Sequence, residues 1–162
     1  MVIDCGLLMT PEAVVAAILL LFPYMSGNNR ACVVRRQEAI VAQLREAEEM
    51  GVPAEVIGAV GFYETHWGCD AREGGNWGAP IDAAHRHTPG THVHAARSLI
   101  TGFGRCGSWD GAISRFRTGR CRPDAVGSRY LANVQALIRR MESAVVGPVC
   151  APGPICEPSG PQ

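Results

Sequence analysis

The residue with the clearest chemical potential is Glu64. It lies in the run Val60-Gly61-Phe62-Tyr63-Glu64-Thr65-His66-Trp67-Gly68, a single carboxylate among apolar and aromatic neighbours. Pro53 suits the first turn of a helix and Gly68 its end. Between them Val56, Val60, Tyr63 and Trp67 recur at i, i+4, i+7 and i+11, the spacing of a buried stripe. Glu64 is four residues from Val60 and seven from Ile57, at the edge of that stripe. Burial penalises a charged carboxylate and raises its pKa. A carboxyl that keeps its proton near neutral pH can act as a general acid. The competing reading is a Glu that only faces water from a core helix.

The residues that follow bear on the choice. Gly74-Gly75-Asn76-Trp77-Gly78-Ala79-Pro80-Ile81-Asp82 reads as a Gly-rich loop or small hairpin, and not as helix. Ser108 to Gly119 reads as a short helix, with Ser108 as N-cap and Gly119 as terminator. Arg129-Tyr130-Leu131-Ala132-Asn133-Val134 opens a last amphipathic helix. The order is therefore a helix-end Glu, a Gly-rich turn, a small-residue helix ending in an aromatic and Gly, and a Tyr-led helix.

That order resembles the lysozyme-like superfamily, most closely the soluble lytic transglycosylases and goose-type lysozymes. Glu64-Thr65-His66-Trp67-Gly68 fits their Glu-Ser/Thr motif with a following Gly. Gly75 to Asp82 stands where they carry a Gly-rich turn ending in Gly-Leu-Met-Gln, without the Gln. Ala112 to Gly119 stands for their Ala-x-x-x-Tyr-Asn-x-Gly, with Phe116 for the Tyr and Arg117 for the Asn. Tyr130 matches the Tyr that opens their final helix. The resemblance spans roughly residues 53–141.

It implies a mainly α fold, a lysozyme-like α+β helical domain with a small Gly-rich loop or hairpin, and cleavage of peptidoglycan glycan strands. Glu64 would be the catalytic acid, with Tyr130 hydrogen-bonding near it. Thr65, His66, Trp77, Gly78, Asp82, Phe116 and Arg117 would contact substrate. A hydrolase of the paired-carboxylate kind needs a second carboxylate roughly 5 to 9.5 Å away, for which Asp82 is the first candidate and Asp70 the next. A lytic transglycosylase would need Glu64 alone, and the product would be a 1,6-anhydro sugar. No cofactor is called for. The altered second and third motifs leave another reading open, a non-catalytic virion component that keeps the fold and binds glycan or other virion proteins. The two readings separate on geometry. Catalysis expects Glu64 in an open cleft with Tyr130 in reach, and the structural role expects Glu64 covered or paired with an arginine.

The elements that must position these groups follow from composition and pattern. The chain has 162 residues, 47% hydrophobic and 19% charged, which suits one globular domain over 1–146. Helices over 11–50 would precede a catalytic core over 53–141, and the Pro/Gly-rich tail 147–162 would be irregular. Pro11-Glu12 starts an apolar helix of too few residues to cross a bilayer. Arg30 to Met50 reads as one helix with Val33, Ile40, Leu44 and Ala47 inward. The formal net charge is zero, which argues against nucleic acid as partner. The fifteen basic residues are all arginine, and eight of them crowd residues 105–140.

Seven cysteines are many for a reducing compartment. Candidate pairs are Cys106 with Cys121, Cys150 with Cys156, and Cys32 with Cys69, leaving Cys5. The start of the chain lacks the charged region of a signal peptide. The protein is thus expected in a phage virion, or released to the cell wall or periplasm by another route. His85-x-His87 and His92-x-His94 around the turn Thr88-Pro89-Gly90 could share a zinc across a hairpin. Without a helical His-Glu-x-x-His or a Cys-x-x-Cys, a polar loop beside a sugar cleft is preferred and no metal is assigned.

Overall fold

The computed structural model describes residues 9–69, 77 and 91–146. They form seven helices: α1 (Pro11–Leu21), α2 (Gly27–Arg35), α3 (Gln37–Glu49), α4 (Ala54–Thr65), α5 (Thr91–Cys106), α6 (Trp109–Thr118) and α7 (Ala125–Val146). No strand occurs among the described residues. The mainly α expectation therefore holds. The Gly-rich loop or hairpin, including Gly78 and Asp82, lies outside the described residues, as do Asp70, His85, His87, Cys5, Cys150, Cys156 and the tail.

α4 is the centre of the molecule and packs on α1, α3, α5 and α7. Its sequence, with two glycines, two valines and an isoleucine, is a poor intrinsic helix former. Tertiary packing supplies the stability instead. Residues 56–62 are buried without interruption, as expected of a helix that is apolar all round. Pro53 is the residue before the helix, extended at ψ 137, and its carbonyl accepts from the Val56 and Ile57 amides. Two glycines let neighbours approach. A methyl on Gly58 would lie 2.5 Å from Val14 Cγ1, and one on Gly61 would lie 2.6 Å from the Trp77 ring.

The single buried stripe expected on this helix does not exist. Val56, Val60 and Trp67 are buried, but Tyr63 is 44% exposed. Its ring packs edge-on against Tyr130 of α7, and its hydroxyl accepts a 2.7 Å hydrogen bond from Asn133.

The expected helix over 30–50 is two. α2 stops at Arg35 and α3 begins at Gln37, with Arg36 between them at φ −100, ψ 9. Val33, Ile40, Leu44 and Ala47 are all buried as expected. His92 and His94, preferred as part of a polar loop with a hairpin as the alternative, belong instead to helix α5. Its buried residues His92, Ala95, Ala96, Leu99 and Gly102 follow helical spacing. Gly102 sits against the Ala112 backbone, where a Cβ would lie only 3.0 Å from Ala112 Cα, so α5 and α6 touch closely. α6 is bounded as expected, with Ser108 Oγ accepting from the Gly111 amide and Gly119 in the left-handed conformation. α7 begins at Ala125, a turn before Arg129, with Asp124 Oδ1 accepting from the Gly127 amide at 2.9 Å.

Two of the three cysteine pairings are present, Cys32–Cys69 and Cys106–Cys121, with Cα separations of 5.7 and 5.3 Å. No helix among the described residues is long and apolar enough to cross a membrane.

Candidate active site

Glu64 occupies the last turn of α4. The chain then reverses through three consecutive left-handed residues: His66 at φ 52, Trp67 at φ 56 and Gly68 at φ 76. The helix therefore ends at Thr65 with His66 as its cap, and not at Gly68. Left-handed backbone costs a residue with a side chain roughly 1–2 kcal/mol, so surrounding contacts must hold this turn.

Several do. The Trp67 amide donates to Gly61 O at 3.1 Å, and its fully buried indole donates to Gly58 O at 2.9 Å. Thr65 Oγ1 accepts from the Gly68 amide at 2.9 Å. Arg36, freed by the break between α2 and α3, donates to Trp67 O at 3.1 Å. The Cys32–Cys69 disulfide then fastens the end of the turn to α2.

This scaffold leaves the Glu64 side chain 15% exposed, at the wall of an open cavity of about 410 Å³. Tyr63, Arg117, Ala125, Val126, Arg129 and Tyr130 complete the described lining. Arg117, at the end of α6, places a guanidinium nitrogen 3.8 Å from Glu64 Oε2 and lies 5.8 Å from the Tyr130 ring centroid. That separation exceeds a closed charge-assisted hydrogen bond, and Arg117 is 51% exposed.

The Tyr130 side chain is buried, and its hydroxyl closes no hydrogen bond of ordinary geometry among the described residues. Burial above all, and then the nearby Glu64 carboxylate as charge and as hydrogen-bond acceptor, push the Tyr130 pKa well above the ordinary tyrosine value. The phenol is held as a neutral donor within reach of the carboxylate.

The residues expected to touch substrate fall into five groups. Arg117 and Tyr130 stand beside Glu64. His66 lines a neighbouring cavity of about 740 Å³, which shares Tyr63 with the first and is walled by Phe22, Tyr24 and Phe62. Thr65 and Trp77 are buried and serve the fold, Thr65 inside the turn and Trp77 against Gly61. Phe116 is half-buried against the core and is not part of the described lining. Gly78 and Asp82 lie outside the described residues.

Sequence reasoning did not single out Arg129 and Val126. Their spacing with Tyr130, at 126, 129 and 130, is that of one helix face and was the available signal. The helical stripe places Tyr63 in the core, whereas its polar role depends on a partner seventy positions away.

The second histidine pair lies on α5, two positions apart and so on different helix faces. His92 is buried, with Nε2 2.6 Å from Glu46 Oε2, while His94 is exposed. No group of three or more potential metal-binding side chains occurs among the described residues.

No known family model matches the chain, and no curated protein or solved structure is significantly similar to it.

Proposed function

We propose that this protein cleaves the glycan strand of peptidoglycan, with Glu64 as general acid and then base. The observation that carries the reading is Glu64 itself, a carboxylate at the end of the most buried helix that still opens on a cavity beside the Tyr130 hydroxyl. Glu64 protonates the glycosidic oxygen as the bond breaks through an oxocarbenium-like state. Tyr130, kept neutral by burial, donates toward Glu64 or the departing oxygen. The ordered resemblance to lytic transglycosylases and goose-type lysozymes supports the same assignment. Glu64 is the sole carboxylate in the described lining, and an anhydro-forming route needs no other.

The expected setting is a phage particle, or release to the cell wall, with glycan strands and other virion proteins as partners. One observation favours a second reading. Arg117 stands near enough to Glu64 to neutralise it, as in a virion protein that keeps the fold without chemistry.

Mass analysis of purified peptidoglycan after incubation with wild type and with Glu64→Gln separates the two. Catalysis expects fragments from the wild type only, and an anhydro product is lighter than the hydrolytic one by one water. No fragments from the wild type, on wall that a known muramidase digests, refutes the enzymatic reading. Mass spectrometry of purified particles tests the virion setting, which fails if the protein accumulates in lysate and is absent from particles.

A further inference from the structure

The cavity beside Glu64 holds more hydrogen-bond donors than the protein uses. Arg117 stops short of a closed pair with Glu64, at 3.8 Å. Arg129 is exposed on the cavity wall, with no ion-pair partner among the described residues. The buried Tyr130 hydroxyl closes no hydrogen bond of ordinary geometry among the described residues, with the Glu64 carboxylate close by. The first turn of the 22-residue helix α7 also faces the cavity through Ala125 and Val126. Asp124 caps this turn by accepting the Gly127 amide on its side chain and the Ser128 amide on its carbonyl, and Ala125 and Val126 lie at the positive end of the helix. Against these stands one carboxylate in the described lining, Glu64.

We propose that this cavity recognises a sugar bearing a free carboxylate, held by Arg117, Arg129 and the start of α7. A planar carboxylate suits guanidinium forks in a way that a neutral hydroxyl does not. The sugar part of the inference rests on the proposed glycan substrate. Binding also acts on Glu64. An incoming carboxylate draws Arg117 away and leaves Glu64 to the glycosidic oxygen, so recognition and release of the acid become one event.

In intact peptidoglycan the lactyl carbonyl of the muramic sugar is tied to the stem peptide as an amide and carries no charge. It becomes a carboxylate only when water cleaves that amide, giving the acid and a free peptide amine. The preferred substrate is therefore a glycan strand already stripped of peptides, which an amide-hydrolysing reaction supplies, and intact strands are cleaved more slowly.

N-acetylmuramic acid and N-acetylglucosamine differ only by the lactyl ether, which makes them the probes. Calorimetry on the full oxidised chain should show the acid binding about tenfold tighter or more at low salt. Arg129→Gln should reduce the preference to about threefold or less, and added salt should weaken the acid alone. Equal affinity for the two sugars overturns the inference, as does failure of the acid to bind at millimolar concentration. Rates on peptide-stripped and intact strands separate this inference from the proposed function. Equal cleavage of both refutes carboxylate recognition and leaves the enzyme standing. Selective binding of the acid with no cleavage of either strand does the reverse.

Discussion

Gly61→Ala tests whether the Glu64 scaffold depends on close packing behind it. A Cβ at this position would lie 2.6 Å from Trp77 Cε3 and 3.0 Å from Trp67 Cδ1. Favourable carbon contacts lie near 3.5–4.0 Å, so each indole would have to retreat by roughly 0.5 to 1 Å. Neither has room, because both rings are fully buried. Trp67 is further tied through its indole N–H to Gly58 O.

Overpacking a core typically costs about 1–3 kcal/mol. Replacing a helical glycine with alanine returns up to about 1 kcal/mol of propensity. With two stiff indoles the upper cost applies, and the net loss is about 2 kcal/mol. For a chain of this size that lowers the melting temperature by roughly 4–8 °C. Gly104→Ala is the control. It lies exposed in α5, where a Cβ would have nothing within 4 Å, and there the propensity gain acts alone, stabilising by about 0.5–1 kcal/mol. Thermal unfolding without reductant reads both. A Gly61→Ala protein that melts at or above wild type, beside a stabilised Gly104→Ala, would refute the packing argument. If Glu64 is the acid, the displaced Trp67 turn should also slow cleavage beyond what stability explains.

Further outcomes follow from the same geometry. Glu64→Gln keeps the fold and lowers any glycan cleavage by on the order of 10²- to 10⁴-fold, read by product mass. Cys106 and Cys121 resist alkylation in denaturant until reductant is added, and the Cys106→Ser, Cys121→Ser protein loses about 3 kcal/mol for its loop of 15 residues. Breaking Cys32–Cys69, which closes 37 residues, costs about 4 kcal/mol by the same chain-entropy account, read by urea unfolding. Glu55 has its pKa raised, chiefly by burial, so its ionised form is disfavoured in the folded state. Glu55→Gln should stabilise modestly at neutral pH, by under about 1 kcal/mol because the carboxyl keeps some water contact. The gain should vanish as pH falls through the raised pKa toward 4.5. A gain that persists in acid would show that charge is not its origin.

Local signals carried well from sequence to structure. Ser108 and Gly119 bound α6 because a cap is a matter between near neighbours. Val33, Ile40, Leu44 and Ala47 are inward because helical period and burial agree. Failures came where distant contacts decide. Nothing in Arg35-Arg36-Gln37 breaks a helix, yet the chain breaks there, and Arg36 reaches Trp67 O across 31 positions. Gly68 looks like the terminator of α4, but the turn begins two residues earlier, where Trp67 is buried and Cys69 is bonded. The stripe on α4 placed Tyr63 inside because one-sided burial was assumed, while the helix is covered on almost every side. The histidine pair His92-x-His94 suggests a hairpin or polar loop and so hides α5, although its buried positions His92, Ala95, Ala96, Leu99 and Gly102 keep helical spacing. Within the site, Glu64 and Tyr130 were legible as residue types in order. Arg117 was legible through the third motif, while the approach of Arg129 depends on how α4, α6 and α7 converge.

The two disulfides acquire a shared sense from that convergence. One ties Cys69, five residues beyond Glu64, to α2. The other ties Cys121, four residues beyond Arg117, to the end of α5. Each closes the segment just after a charged group of the cavity, at places where the backbone alone would hold poorly. The turn after Glu64 runs through two left-handed side-chain residues, and the link after Arg117 begins at left-handed Gly119 and continues through Arg-Cys-Arg-Pro-Asp to the cap of α7. A donor and a carboxylate 3.8 Å apart change their interaction steeply with small displacements when partly shielded from water. Chemistry that depends on their placement needs both segments fixed. Helix propensity does not supply this, since α4 is a weak helix former held by its neighbours. Covalent closure on either side of the cavity does, and cross-linking of this kind is sustained where thiols remain oxidised. The cysteine content and the placement of the charged groups are in that sense one feature.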